Sequence, residues 1–348
     1  MLRVAINGFG RIGRNVLRAL YESKRNQSIE VVAINDLGSP AFNAHLIEFD
    51  SVHGHFPFQV KADRDAIWIG QDRIEILTES NPLELPWHAL QIDVVLECTG
   101  RFTSRHAAKQ HIDAGAQRVL LSAPGKDVDY TVVYGINDQG LSGEHQIISN
   151  ASCTTNCLAP LLRVIDQSVG IISGLMTTVH AFTNDQNLMD GYHADWYRSR
   201  AAGHSMIPTT TGAAKSIGEV MPEMAGKIDG LAIRVPTANV SIVDLSFIPD
   251  QKTTAIELNQ RFYEEARQGR LGAGQYQILD FNNLPLVSAD FNHSTRSCIV
   301  DANHTLVAEP MVKILAWYDN EWGFSHRLLD VLGLWAEVIA THQRARSA

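Results

Sequence analysis

Two side chains in this sequence can carry out covalent chemistry together. Cys153 lies in a run of small, mostly polar residues, Ala151-Ser152-Cys153-Thr154-Thr155-Asn156-Cys157, just before a helix-like pattern through Leu158, Leu161, Leu162 and Ile165. A thiol at a helix start feels open backbone N–H groups and the positive end of the helix dipole, and both favour the thiolate. His180 follows the apolar run Leu175-Met176-Thr177-Thr178-Val179, so a base there would emerge at a strand's end. A thiolate that adds to an aldehyde gives a tetrahedral hemithioacetal. Hydride departs readily from that species, and the thioester left behind still reacts with a second nucleophile. The Cys153 N–H and the imidazole are the expected partners of the developing alkoxide, with His180 also removing a proton as hydride leaves. Spacing does not establish that the two residues meet. An inert buried thiol and a structural histidine fit the same residues.

A hydride needs an acceptor. Gly8-Phe9-Gly10-Arg11-Ile12-Gly13 fits G-x-G-x-x-G directly after an apolar run at residues 2–7, and it opens a stretch with Val16, Leu17 and Leu20 at helical spacing. Glycines there let the backbone approach a pyrophosphate, and the helix start offers N–H donors to it. Asp36 closes the second apolar run, where a carboxylate can bond the ribose hydroxyls and repel a 2′-phosphate. NAD is therefore expected rather than NADP. Thr99 and Ser122 close two later strand-like runs, at the sheet edge where the nicotinamide side of such a cofactor belongs. The four cysteines, Cys98, Cys153, Cys157 and Cys298, are too few and scattered for a disulfide scaffold. Cys153 and Cys157 lack the second ligand pair that a zinc site needs, so no metal is expected.

These residues need two kinds of scaffold. Short, near-continuous apolar runs at 2–7, 29–34, 93–98 and 118–122 read as buried parallel strands, and the alternation within 56–77 reads as inserted antiparallel ones. After Asn150 the texture changes. Strand-like runs follow at 175–179, 231–235, 240–245 and 312–317, with a loop-like segment from Asn184 to about Pro208 and a closing helix from Ser325 to about Thr341. The expected fold class is α/β: an N-terminal Rossmann-type doubly wound sheet plus an α+β catalytic domain with a mainly antiparallel sheet. The cofactor domain is expected at 1–152, completed by a C-terminal helix at 320–348, and the catalytic domain at 153–319. The chain has 348 residues, 45% of them hydrophobic, and a formal net charge of -9. That charge argues against nucleic acid as a partner, and no apolar run is long enough to span a membrane. The N-terminus runs straight into a strand with no room for a signal sequence, so a cytoplasmic protein is expected.

At this point the residues stop being generic. Ala5-Ile6-Asn7-Gly8-Phe9-Gly10-Arg11-Ile12-Gly13-Arg14, Ser149-Asn150-Ala151-Ser152-Cys153-Thr154-Thr155-Asn156-Cys157 and Trp317-Tyr318-Asp319-Asn320-Glu321-Trp322-Gly323 together resemble the phosphorylating glyceraldehyde-3-phosphate dehydrogenase family, essentially end to end. The resemblance implies that Cys153 is the nucleophile and His180 its base. It implies that hydride passes to NAD before inorganic phosphate attacks the thioester, and that the protein is a homotetramer. It implies Thr183 and Arg234 for the substrate phosphate, and Ser152, Thr154, Arg198, Thr211 and Gly212 for the attacking phosphate. The cofactor positions it carries over are Gly8, Arg11, Ile12, Asp36, Thr99, Ser122 and Asn320. Erythrose-4-phosphate dehydrogenase shares the nucleophile, base and cofactor pattern; Thr183 and the run Thr209–Lys215 favour the glyceraldehyde substrate. Three stretches depart from the family's habit. The loop 187–193 lacks a Leu-Pro pair, Ser80-Asn81-Pro82 lacks an arginine, and Tyr197 stands where many relatives have one. Two further readings are a dinucleotide-binding protein without catalysis and a semialdehyde or non-phosphorylating dehydrogenase of the same architecture.

Overall fold

A computed structural model of the chain describes residues 1–347. It divides into two compact units. The first holds Met1–Val132, Asp138–Ala151 and the chain from Ser325 onward; the second holds Val133–Asn137 and Ser152–Phe324.

The first unit is built on a nine-stranded sheet. In chain order its elements are β1 (Leu2–Asn7), α1 (Arg11–Glu22), β2 (Ile29–Asn35), α2 (Pro40–Glu48), β3 (Val60–Ala62), β4 (Ala66–Ile69), β5 (Asp72–Leu77), β6 (Val94–Glu97), α3 (Arg105–Asp113), β7 (Arg118–Leu121), β8 (Tyr130–Thr131) and β9 (Ile147–Ser149). The sheet order is β8-β9-β7-β6-β1-β2-β5-β4-β3. From β8 to β5 every pairing is parallel; β3, β4 and β5 pair antiparallel, as the alternation in that stretch predicts. Val4, Ala5, Ile6, Ala33, Ile34, Val95, Leu96, Val119, Leu120 and Leu121 are all buried, which is why the central strands read as unbroken apolar runs. Their carboxyl ends bring Asn7, Asn35 and Glu97 to one edge, where β1 pairs in register with both neighbours.

The second unit begins with α4 (Cys153–Val169) and continues with β10 (Ser173–Ala181), β11 (Ile207–Thr210), α5 (Ala213–Val220), β12 (Ile228–Val235), β13 (Ser241–Ile248), α6 (Ala255–Gln268), β14 (Leu279–Asn282), β15 (Cys298–Ala308) and β16 (Met311–Tyr318). The final helix, α7 (Trp322–Ser347), starts in this unit. The sheet order is β11-β12-β10-β13-β16-β15-β14. Four of its six pairings are antiparallel, while β10–β12 and β14–β15 are parallel. Burial alternates along β13 and β16, so one face of the sheet is covered; α4 packs against β13, β15 and β16. Two regions differ from expectation. A short edge strand, β11, ends the segment read as loop, and α6 with β14 and β15 fills a stretch in which the sequence reading placed no element.

Candidate active site

At the carboxyl edge of the first sheet, the glycine-rich turn is held by contacts that only glycine permits. Gly8 has φ +90°, and a Cβ there would lie 2.7 Å from the backbone nitrogen of Thr99. A Cβ on Gly13 would lie 2.3 Å from the Gly8 carbonyl, so helix and strand close only without one. Gly10 is different. It precedes α1 with no side-chain cap, and a Cβ there meets nothing within 4 Å, which leaves the helix start open to an anion. Asp36 is fixed by two backbone donors, Phe9 N–H at 3.0 Å and Gly38 N–H at 2.9 Å. The Arg11 guanidinium forms a forked ion pair with Asp50, so what Arg11, like Ile12, can offer a pyrophosphate is its backbone N–H. Thr99 is tied through its N–H and hydroxyl to the Glu97 carboxylate, and the Ser122 hydroxyl donates to the Glu97 carbonyl at 3.0 Å. This donor set fits a dinucleotide: an open helix start for phosphate and a strand-end carboxylate for ribose.

In the second unit, Ser152 caps α4, its hydroxyl accepting the Thr155 N–H at 3.0 Å, and Cys153 is the first helical residue. On β10, Met176, Thr178 and His180 alternate onto the covered face, and α4 presents Cys153 to it. Cys153 Sγ lies 3.5 Å from His180 Nε2. The parallel register of β10 and β12 sets Arg234 beside His180. Nδ1 of the ring lies 2.7 Å from the Ala181 carbonyl and 2.7 Å from Arg234 Nη1, which also donates to that carbonyl at 3.0 Å. Nδ1 thus faces an acceptor and a donor at equal distance: the tautomer that gives its Nδ1 proton to Ala181 keeps Nε2 bare toward the sulfur, and the one whose Nδ1 accepts from Arg234 carries its proton on Nε2. Arg234 Nε is buried and has no hydrogen-bond partner among the described residues. Below the pair, the Tyr318 hydroxyl bridges Thr154 Oγ1 at 2.9 Å and Thr178 Oγ1 at 2.8 Å.

Electrostatics around the pair favour neutral groups. Burial pushes His180 down to about 3, and the adjacent charge of Arg234 adds to the effect. Burial also pushes the Cys153 thiol up, against the downward pull of Arg234 and Thr154. The net direction is opposite to that expected from a helix start alone, because desolvation outweighs the dipole. Burial likewise keeps the Tyr318 phenol protonated.

The remaining residues are placed as follows. Arg198 is pinned by Asp185 Oδ2 at 2.5 Å and Thr209 Oγ1 at 3.1 Å, and its charge is felt at His180. Thr211 Oγ1 accepts the Ala213 N–H at 3.3 Å, and Gly212 opens α5. The Thr183 backbone N–H donates to Gln186 at 3.4 Å. None of Thr183, Thr211 and Gly212 bonds Cys153 or His180. Tyr197, at the expected arginine position, is 62% exposed. Asn320 is buried, and its Oδ1 accepts the Ser241 hydroxyl at 2.8 Å. Sequence reasoning gave no role to Thr178, Tyr318, Ser241 or Asp185. The two-residue spacing of Thr178 and His180 on one strand was the available signal.

Comparison with known proteins gives the same picture along most of the chain. The family described as "Glyceraldehyde 3-phosphate dehydrogenase, NAD binding domain" matches residues 2–105, and "Glyceraldehyde 3-phosphate dehydrogenase, C-terminal domain" matches residues 152–320. Glyceraldehyde-3-phosphate dehydrogenase of Pseudomonas aeruginosa is 58% identical over 94% of this chain and 96% of its own. The chromosomal enzyme of Cupriavidus necator is 56% identical over 94% and 97%, and that of Zymomonas mobilis 48% over 97% and 99%.

Proposed function

Because this chain belongs to the glyceraldehyde-3-phosphate dehydrogenase family, we propose that it catalyses the NAD-dependent, phosphorylating oxidation of glyceraldehyde 3-phosphate to 1,3-bisphosphoglycerate. The chain is an NAD-dependent oxidoreductase. The observation that carries the finer reading is the 3.5 Å approach of Cys153 Sγ to His180 Nε2 with the arginine behind the ring. The thiol gives its proton to Nε2 as sulfur adds to the aldehyde carbon. The Cys153 N–H and the imidazolium meet the resulting oxyanion, and the imidazolium returns the thiol's proton to it, giving the hemithioacetal hydroxyl and a neutral ring. NAD, when bound, accepts the hydride that the hemithioacetal carbon gives up. His180 takes the hydroxyl proton in that step, leaving a thioester on Cys153. Inorganic phosphate then attacks the thioester carbon; the acyl phosphate leaves and the thiol is restored. Arg234, with its unpartnered Nε, and Thr183 are assigned to the substrate phosphate. Ser152, Thr154, Arg198, Thr211 and Gly212 are assigned to the attacking phosphate, in keeping with the preference of guanidinium, hydroxyls and helix starts for anions.

In the cofactor site, Gly8, Gly10, Arg11, Ile12 and Gly13 are assigned to the pyrophosphate turn, Asp36 to the ribose hydroxyls, and Thr99, Ser122 and Asn320 to the nicotinamide side. The protein is proposed to act as a cytoplasmic homotetramer. One support is the uncovered sheet face, on which Leu175, Leu231 and Met311 are exposed; another is the loop carrying exposed Leu188, Tyr192, Trp196 and Met206, large apolar side chains of the kind that mark interaction surfaces when they cluster. Sedimentation at a single molecular mass near that of one chain would overturn the assembly.

The activity is tested by initial-rate NADH production from glyceraldehyde 3-phosphate and erythrose 4-phosphate, each with and without inorganic phosphate. Glyceraldehyde 3-phosphate turned over only with phosphate is the expected result. Erythrose 4-phosphate turned over faster, and without phosphate, would mean that the thioester is hydrolysed and the substrate assignment is wrong. Cys153→Ala is expected to abolish turnover while NAD still binds.

A further inference from the structure

We infer that Ser241 is the positioning residue that sets the amide of Asn320, and through it the orientation of the nicotinamide ring. The inference rests on the assignment of Asn320 to the nicotinamide carboxamide made above. Ser241 is 1% exposed and opens β13, directly opposite Tyr318 on β16. Its hydroxyl has one proton to give. That proton goes to Asn320 Oδ1 at 2.8 Å, while Ser241 Oγ itself accepts the Ala181 N–H at 3.0 Å. The donor of Ser241 is therefore committed, and so is the end of the Asn320 amide that receives it. What Asn320 has left to offer is Nδ2, which has no hydrogen-bond partner among the described residues.

The backbone around Asn320 is held as firmly as its side chain. Asp319 Oδ1 accepts the N–H groups of Glu321 at 2.9 Å and Trp322 at 2.7 Å, and its Oδ2 accepts the His293 N–H at 2.7 Å. The residue on either side of Asn320 is thus tied down, and rotation of the amide is the freedom that remains. Ser241 removes it.

The chemical consequence follows from the carboxamide itself, which carries a carbonyl acceptor and an amide donor. An Nδ2 donor selects the carbonyl; a flipped Asn320 presenting Oδ1 would select the NH2 and turn the group over. A second link runs from Ser241 Oγ. Ala181, whose N–H Ser241 accepts, offers its carbonyl to the imidazole Nδ1 of His180. One buried hydroxyl therefore ties the handle on the nicotinamide to the backbone that orients the base.

The test needs no turnover. Calorimetric titration of the full-length protein with NAD and with ADP-ribose, which lacks the nicotinamide, separates the ring's contribution from that of the rest of the dinucleotide. Ser241→Ala is expected to weaken NAD about three- to tenfold, the worth of one hydrogen bond, and to leave ADP-ribose unchanged. Ser241→Thr, which restores the hydroxyl, is expected to recover most of the loss. Unchanged NAD affinity in Ser241→Ala, or equal weakening of both ligands, would overturn the role. Asn320→Ala distinguishes the two levels of the argument. If it leaves the ratio of NAD to ADP-ribose affinity untouched, the assignment of Asn320 fails. If it shifts the ratio while Ser241→Ala does not, only the role of Ser241 fails. Should Ser241→Ala not fold, Asn320→Asp carries the test, since a carboxylate accepts from Ser241 equally well but has no N–H to give. A native ratio in that variant overturns the inference.

Discussion

Glu97 in the first unit and the Cys153–His180 pair in the second are both buried polar clusters, but they are finished to different degrees. The Glu97 carboxylate accepts from Asn7 Nδ2 at 2.6 Å, His111 Nε2 at 3.0 Å, and both the N–H and the hydroxyl of Thr99. His111 is fully buried, and its tautomer is settled. The Trp87 indole can only donate, and it reaches His111 Nδ1 at 3.1 Å, so the ring proton sits on Nε2 and points at Glu97. Every donor there has its acceptor. Around Cys153 the same physical chemistry is left incomplete: the thiol and imidazole are both displaced toward their neutral forms, and Arg234 Nε has no partner. A satisfied network holds a shape, whereas an unsatisfied one is stabilised when a ligand arrives. The first cluster braces the edge where the dinucleotide is proposed to lie. The second is the cluster proposed to receive the aldehyde and the two phosphates.

The sharpest way to separate the two clusters is His180→Asn. Removing the proposed base is expected to lower turnover by about 10² to 10⁴, with NAD affinity measured by titration unchanged. A loss of only a few-fold would reduce His180 to a structural residue and erase the contrast. Glu97→Gln probes the other side. Whichever way the new amide turns, its NH2 faces a group that can only donate, either Asn7 Nδ2 and His111 Nε2 or the Thr99 N–H. The expected loss is about 2 kcal/mol in urea unfolding, the cost of leaving buried donors unmet. A variant as stable as the parent would show that the cluster relaxes and is not a brace.

Much of this was legible in the sequence because the relevant physics is local. The turn from Gly8 to Gly13 is dictated by close approaches within one βαβ unit, and the helix start at Cys153 is announced by the polar cap before an apolar periodicity. Residues 175–179, 231–235 and 312–317 fall inside observed strands and 240–245 does so from Ser241 on, the strands extending one to three residues further at most of their ends. What could not be read depends on tertiary pairing. The strand β11 is four residues long, contains Pro208 and sits at a sheet edge, so it carries almost no pattern of its own. Neither the bond from Tyr318 to Thr178, 140 residues apart, nor that from Ser241 to Asn320, 79 apart, has any sequence signature. The direction of the Cys153 shift was missed for the same reason: burial is a property of the fold, and it outweighs the dipole of the local helix.

Acidification should weaken the fold through the unfinished cluster. His180 sits near 3 in the folded protein against an unfolded value near 6.5, so the unfolded state binds the extra proton between these limits. Stability contributed by keeping the ring neutral is therefore full above pH 6.5 and drains as pH falls toward 3. At pH 5 the loss from this one residue is about 2 kcal/mol. His180→Asn, which does not titrate, should lose less thermal stability than the parent between pH 7.5 and pH 5. Parallel acid profiles would mean that the ring is hydrated or charged in the folded protein.

The smallest effect is expected at Ala151, which immediately precedes the helix cap. Its φ is +54° and it is fully buried, a left-handed conformation that costs an L-residue energy glycine does not pay. Ala151→Gly removes that cost but adds about 0.5 to 1 kcal/mol of unfolded-chain entropy, so the two nearly cancel and the melting temperature should hardly move. Activity need not follow stability. If the strained residue fixes where Ser152 and Cys153 begin their helix, loosening it should slow iodoacetamide labelling of Cys153 and lower turnover a few-fold at unchanged stability. Labelling and turnover at parental rates would mean that the strain at Ala151 only accommodates the chain path. The contrast between the clusters would then rest on the side chains of Cys153, His180 and Arg234 alone.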